Sequence, residues 1–335
     1  MNNDISSTAT MRALVHHSFG DPAQVLAVEE RPLPQPGPGQ VRVRTLLSPI
    51  HNHDVWTVRG TYGYKPELPA LAGTEAVGVI DALGEGVEQL ALGQRVTTAG
   101  AFGVWAEYFV ASAATLIPVP EALSDETAAQ LVSMPFSALS LLHSLDLHEG
   151  DWLIQNAANG AVGRMVAQLG AARGINVVGL VRRAEGVGEL RAQGIERVIA
   201  TDSDDWREQL AAITGGAPIS VGIDSVGGRA AGEVLSALAT NGTLVVFGAM
   251  ASPTLELASG DVIFKQATVK GFWGSVVSRD MPAELKGQLF GELIARVLDS
   301  SLTLPVSASY SFADIASAIA ANGEPGRVGK VLLRP

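Results

Sequence analysis

The 335 residues contain no cysteine. That removes disulfides, iron–sulfur clusters, thiolate zinc sites and any cysteine nucleophile, and it fits a reducing compartment. Basic residues are also in short supply: 23 Lys and Arg stand against 34 Asp and Glu, a formal net charge of −11. Such a surface repels phosphate backbones and anionic headgroups, so neither nucleic acid nor membrane is an expected partner. No apolar run reaches the roughly 18 to 20 residues that a membrane span needs. The opening stretch MNNDISSTAT is polar, carries an acid and lacks arginine. It reads as a short disordered tail rather than a secretion or transit signal, and the expected location is cytoplasmic. Aromatic residues make up only 5% of the chain, with four tyrosines, yet Tyr62 and Tyr64 both fall in the Gly/Pro-rich segment RGTYGYKPELP. A phenol in such a loop calls for an explanation.

A length of 335 residues with 47% hydrophobic content supports a sizeable core and two domains. Residues 11 to 130 carry short alternating or apolar runs, RALVHH, QVRVRTLL, AVGVIDALG, QRVTTAG and WAEYFVA, separated by turn signals such as PQPGPGQ and LGEG. That spacing predicts a β-rich barrel-like or sandwich domain. The pattern changes at Ser124, which precedes two acids in a helix-start signature. From Asp151 onward, apolar strands such as DWLIQNA, NVVGLVR, RVIAT, SVGIDSV, TLVVFGA and TVKGFWGS alternate with helical segments. This is the signature of a parallel sheet wound with helices on both faces. The tail returns to a mixed pattern that ends in GRVGKVLLRP, predicting a last strand that rejoins the first domain. The expected division is 1–125 with 272–335 for the β-rich domain and 126–271 for the inserted α/β domain.

The segment QNAANGAVG follows the first α/β strand and opens a helix. A dinucleotide-binding turn needs small residues there, because the backbone must approach a pyrophosphate and the helix N-terminus must offer its free N–H groups. Gly160 and Gly163 meet that need, with Ala157 a tolerable substitute for the usual first glycine. The next strand ends in LVRRAEG, without the acid that would hold the ribose hydroxyls of NAD. Arg182 and Arg183 suit a 2′-phosphate instead, which points to NADPH.

These stretches together, with RGTYGYKPELPALAGTEAVGV, IQNAANGAVG, VVGLVRR, DSVGG, VVFGAM, VKGFWGS and the closing GKVLL, resemble the zinc-free medium-chain dehydrogenase/reductases, and most closely the mitochondrial-type 2-enoyl-thioester reductases. The resemblance runs from about Met11 to Pro335. It implies a GroES-like catalytic domain joined to a doubly wound Rossmann domain, and a homodimer. It also implies hydride transfer from NADPH to an enoyl thioester, an enone or a quinone. Zinc-dependent relatives use cysteine and histidine ligands; here Thr74 stands in GTE where they carry histidine. His51, His53 and Glu75 remain as oxygen or nitrogen donors near one loop, with the two histidines read as flanking a turn, solvated or hydrogen-bonded.

By the same resemblance, Tyr62 matches the catalytic tyrosine and Trp273 a tryptophan beside the nicotinamide. Asn159, Gly160, Ala161, Val162 and Gly163 match the pyrophosphate segment. Phe247, Gly248, Ala249, Met250 and Phe272 match segments along the cofactor, and Lys330 a cofactor-contacting lysine. Tyr64 has no such match and reads as a pocket wall or an exposed neighbour. Two departures stand out: Met134 replaces an asparagine that contacts the cofactor, and Ala184 replaces the second arginine of Arg-x-Arg. Three functions follow: an enoyl reductase, a quinone oxidoreductase of the same fold, and a non-catalytic NADPH-binding protein. An acidic carrier protein would need basic residues, for which Arg59, Lys65, Lys265, Lys270 and Arg279 are candidates.

Overall fold

The computed structural model describes residues 9–335, so most of the polar opening stretch lies outside the described residues. The chain forms two compact units, Met1–Ser133 with Leu304–Pro335, and Met134–Thr303. In chain order the first unit contributes β1 (Thr10–His16), β2 (Leu26–Pro32), β3 (Gln40–Pro49), β4 (Ala70–Leu71), β5 (Glu75–Leu83), β6 (Arg95–Ala99), β7 (Tyr108–Ser112) and β8 (Ile117–Pro118). The second contributes β9 (Trp152–Gln155), β10 (Asn176–Val181), β11 (Val198–Ala200), β12 (Ile219–Asp224), β13 (Thr243–Val246) and β14 (Thr268–Gly271). The chain then returns to the first unit with β15 (Val306–Ser311) and β16 (Lys330–Arg334).

The first unit pairs β2-β1-β4 in one sheet and β15-β16-β3-β5-β6-β8 in another, with β7 also on β3. Along β3, Val41, Val43, Thr45 and Leu47 are buried at every second position, the period-2 pattern of a strand with one face on a core. Val41 and Val43 join a cluster that includes Leu14, Ile80, Val96, Trp105, Phe109, Phe312 and Val331, and Leu47 joins a smaller one with Val77, Ala128 and Leu332. Each fully buried side chain of this size contributes about 1.5–3 kcal/mol relative to exposure. The closing strand β16 lies between β15 and β3, pairing Leu333 with Ser48 antiparallel.

The helix at 52–59 in this unit is not foreshadowed by the β-rich reading. His51 and His53 do not flank a turn: His51 caps the helix Asn52–Arg59, and His53 lies in its first turn. Its sequence, NHDVWTVR, holds little helix-forming composition, but its ends are well built. The Asp54 carboxylate accepts the His51 N–H at 2.9 Å, satisfying a donor at the helix start. Gly60 closes the other end at φ +73, in the left-handed region that glycine enters freely.

In the second unit β11-β10-β9-β12-β13-β14 form an all-parallel sheet. The order reverses direction between β9 and β12, so the crevice beyond their carboxyl ends is the topological switch point where doubly wound sheets bind ligands. Ile154, Val178, Leu180, Trp206, Val234 and Leu244 fill part of the core.

The junctions differ from the expected 125/126 and 271/272. The first falls at 133/134, because residues 125–133 are fastened to the first unit: Thr97 Oγ1 donates to Ala128 O at 2.8 Å, and Gln130 Nε2 to Leu304 O at 3.0 Å. The second falls at 303/304, because the helix Ala283–Leu298 packs onto the second unit. There Phe290 stacks on Phe136 at 4.3 Å and Glu292 accepts two bonds from the Arg173 guanidinium, at 3.1 and 2.7 Å. Trp273 is also not within a strand; it caps the helix Gly274–Asp280 just beyond β14.

Candidate active site

The glycine turn is built by its neighbours as much as by its glycines. Gly160 precedes the helix Ala161–Ala172, whose first-turn N–H groups at Ala161, Val162 and Gly163 have no backbone acceptor among the described residues. A Cβ on Gly163 would lie 2.6 Å from Ala157 O and 2.8 Å from Ala158 Cα, so this glycine permits the close approach of helix and turn. Ala157 is less accommodating than its small size suggests: its φ of +49 lies in the left-handed region, which costs a residue with a Cβ about 1–2 kcal/mol.

Three residues absent from the motif reading hold the turn. Gln155 Nε2 donates to Gly163 O at 2.7 Å. Asn156 donates through Nδ2 to Asp224 at 2.5 Å and accepts the Ser225 N–H on Oδ1 at 2.8 Å. Asp224, fully buried, also takes the N–H groups of Val226 and Gly227. These bonds tie the end of β9 to the end of β12 across the switch point. Their sequence signal is a polar residue closing an otherwise apolar strand, as in WLIQN and VGID.

Arg182 and Arg183 follow β10 directly, are exposed, and pair with no acid among the described residues. After β13, the half-buried Phe247 ring stacks on that of Phe272 at 5.7 Å. Gly248 passes close to Ser225 O, while Ala249, Met250 and Trp273 are exposed. Asn159 is half-buried in the turn. The open helix amides, the crowded glycine cradle and the uncommitted arginines fit a 2′-phosphorylated dinucleotide: the amides would hold its pyrophosphate and the arginines its 2′-phosphate.

The first unit holds a buried polar cluster. Glu75, at the start of β5, meets His51 Nε2 at 2.6 Å with Oε2, and accepts the Val132 and Ser133 N–H groups on Oε1 at 2.6 and 2.9 Å. Burial pushes its pKa up to about 8, against the pull of those N–H groups and of Lys330. Burial, with help from Lys330 and His53, holds His51 well below the usual imidazole range. The two therefore form a hydrogen-bonded pair that is not a full ion pair at neutral pH. Lys330 is buried in the same cluster, with Nζ 3.5 Å from Ile50 O, and burial draws its pKa down to about 8.

Thr74 Oγ1 donates to Asp54 Oδ1 at 2.7 Å and meets His53 Nε2 at 2.7 Å. The His53 ring lies between two others: His51 stacks on it at 4.9 Å and Tyr62 leans against it at 5.8 Å. Tyr62 is half-buried, and its backbone N–H bonds Trp56 O at 3.2 Å, tying the loop to the helix that carries His53. Tyr64 is more exposed; its ring leans against that of Phe102 at 4.5 Å and helps line a recess with Val58, Pro66, Leu71 and Thr74.

The cluster does not fit a zinc ion. It offers no thiolate, and the facing atoms of His51 and Glu75, and of His53, Thr74 and Asp54, are committed to one another. Among the described residues no group of three or more His, Cys, Asp or Glu is placed to hold a metal. Of the candidate carrier-docking cations, Lys265 is engaged by Asp261 and Ser236 O, and Arg279 by Asp280.

A β-rich unit with an acid–histidine–tyrosine cluster, together with a parallel-sheet unit carrying a dinucleotide turn, defines a two-domain nicotinamide oxidoreductase of the medium-chain class. Residues 37–121 match the alcohol dehydrogenase GroES-like domain and residues 161–287 the zinc-binding dehydrogenase family. The chain is 33% identical to the human mitochondrial enoyl-[acyl-carrier-protein] reductase over 332 residues, 97% of this chain and 89% of that protein. It superposes on the Escherichia coli quinone oxidoreductase complexed with NADPH with a TM-score of 0.88, at 25% identity over 97% of this chain and 100% of that one. A mycobacterial protein solved with NADPH gives a TM-score of 0.86 at 27% identity, with 97% and 100% coverage. The chain belongs to the zinc-free, quinone oxidoreductase-like branch of the medium-chain dehydrogenase/reductases, a family of NADPH-dependent oxidoreductases. No helix among the described residues is long and apolar enough to cross a membrane.

Proposed function

We propose that this enzyme reduces the carbon–carbon double bond of 2-enoyl thioesters, with Tyr62 as the proton donor. The observation that carries the reading is the seating of Tyr62 against His53 beside a polar cluster that does not fit a metal, in a chain 33% identical to an enoyl reductase. Bound NADPH supplies the hydride for the β-carbon. The negative charge that develops on the thioester oxygen requires an aimed hydrogen-bond donor, and the α-carbon requires a proton. The Tyr62 phenol carries an O–H donor and serves both needs. The amides of Ala161, Val162 and Gly163 bind the cofactor pyrophosphate, and Arg182 and Arg183 its 2′-phosphate. Asn159, the segment Phe247–Met250, Phe272 and Trp273 border the rest of the cofactor in this reading.

Lys330 takes a modified role. Its ammonium is buried among Ile50 O, Glu75 and Asp54, which supports service to the polar cluster beside any contact with the cofactor.

A quinone acceptor is the second reading, favoured by the likeness to the Escherichia coli quinone oxidoreductase and by the exposed aromatic pair Tyr64 and Phe102, which would stack on a flat ring. Parallel NADPH-oxidation assays on crotonyl-CoA and a short-chain quinone decide between the two. Turnover of crotonyl-CoA that is lost in Tyr62→Phe supports enoyl reduction; turnover of the quinone alone replaces it. Binding of NADPH with no turnover of either would indicate a non-catalytic role. The reading includes a homodimer through β14, an exposed edge strand whose four residues all face solvent in the single chain. It also includes a cytoplasmic location, which fractionation of the source cells tests against the mitochondrial location in the names of the relatives.

A further inference from the structure

The proposed chemistry leaves a debt in the first unit. When Tyr62 gives its proton to the α-carbon, the O–H electron pair stays on Oη, and the phenolate must be reprotonated before the next cycle. We propose that His53 is the residue through which Tyr62 recovers its proton after each turnover, held in one tautomer for that task by Thr74 and Asp54. The proposal rests on the reading of Tyr62 as proton donor.

The direction of the hydrogen bonds fixes the tautomer. Asp54 accepts on both oxygens, from the His51 N–H at 2.9 Å and from Thr74 Oγ1 at 2.7 Å. The single hydroxyl hydrogen of Thr74 is thus spent on Asp54, so toward His53, at 2.7 Å, Thr74 can only accept. His53 Nε2 therefore carries a hydrogen, and Nδ1 is the basic atom of the neutral ring. The ring is held between His51 and Tyr62, at centroid distances of 4.9 and 5.8 Å. Phenol and imidazole are referenced to one helix, because the N–H groups of Thr61 and Tyr62 both bond Trp56 O.

Access to solvent completes the route. The His53 side chain keeps 18% exposure while Asp54 beneath it has none. The charged and titratable groups around it are Asp54 on its own helix, His51 at the cap, Glu75 from β5, Lys330 from β16 and Tyr62 from the loop. Burial and Lys330 lower its pKa and Asp54 raises it, with burial dominant, so the ring is neutral between turnovers. Nδ1 takes a proton from water and passes it to the Tyr62 phenolate; the imidazole ends neutral, and one solvent proton has replaced the one delivered to substrate.

His53→Gln keeps an N–H for Thr74 and removes the basic nitrogen. The test compares the first turnover of enzyme loaded with NADPH and crotonyl-CoA against steady-state turnover. The expected result is a first turnover within about twofold of the unmodified enzyme and a steady-state kcat lower by about tenfold or more. Added imidazole should restore the steady-state rate in proportion to its concentration. Equal losses in both phases without rescue, or no loss in either, would overturn the proposal. Should His53→Gln fail to fold, Thr74→Val, which releases the tautomer, must show the same burst followed by slow turnover. Tyr62→Phe is the control: full activity in that variant removes the donor reading itself, whereas an inactive Tyr62→Phe beside an unaffected His53→Gln removes only the relay.

Discussion

The imidazole of His51 and the carboxyl of Glu75 meet at 2.6 Å with neither side chain exposed to solvent. This pair makes the first unit sensitive to pH in a direction opposite to that of most carboxylates. The folded Glu75 titrates near 8 against an ordinary value of 4.5, so its stabilising share is complete below the ordinary value and is lost as pH rises toward 8. His51, held below its ordinary 6.5, works the other way, and its share is lost as pH falls. Lys330, lowered from 10.5 to about 8, has its full share above the ordinary value and loses it as pH falls toward 8. The thermal midpoint of the unmodified protein, measured against Glu75→Gln, should therefore fall by several degrees between pH of about 5 and about 8. A flat difference curve over that window would remove the buried protonated carboxyl.

Tyr62→Phe should lower kcat on crotonyl-CoA by about 10²–10⁴-fold, the usual worth of a positioned proton donor. The NADPH dissociation constant should stay within about twofold, because the phenol binds no part of the cofactor in this mechanism. Kinetics and a fluorescence titration of NADPH check the two halves separately.

In the proposed reading, Arg182 and Arg183 carry the preference for the phosphorylated cofactor. Replacing both with alanine should weaken NADPH binding by about 10- to 100-fold while leaving NADH binding nearly unchanged, given about 1.5–3 kcal/mol for each charge-assisted bond. Equal weakening of both cofactors would mean that the arginines act on the fold of the turn instead.

Ala157→Gly relieves a backbone held at φ +49 and should raise the free energy of unfolding by about 1 kcal/mol. Gly163→Ala should do the reverse and weaken NADPH binding, since its methyl would sit 2.6 Å from Ala157 O. Denaturant midpoints for the two variants must move in opposite directions.

The strands and the glycine turn were legible in the sequence because they rest on local periodicity and small residues. QVRVRTLL alternates visibly, and Gly160 and Gly163 announce close approach. What escaped was set by tertiary partners. The helix Asn52–Arg59 has weak intrinsic propensity and is built from its ends by Asp54 and Gly60. The second domain junction moved because Phe136 and Arg173 capture Phe290 and Glu292 more than a hundred residues later, a pairing no local pattern encodes. Tyr62 was singled out through a family resemblance, whereas the Thr74–Asp54 and Asn156–Asp224 bonds join residues distant in sequence.

β16 is an interior strand of its sheet although it follows every other strand in chain order. A nascent polypeptide leaving the ribosome therefore completes the contiguous 134–303 unit while the first unit still lacks an inner strand. Lys330, which opens that strand, arrives last at the cluster it neutralises. Synthesis halted before β16 would thus yield a chain able to form its nucleotide-binding half but unable to close the half that carries Tyr62.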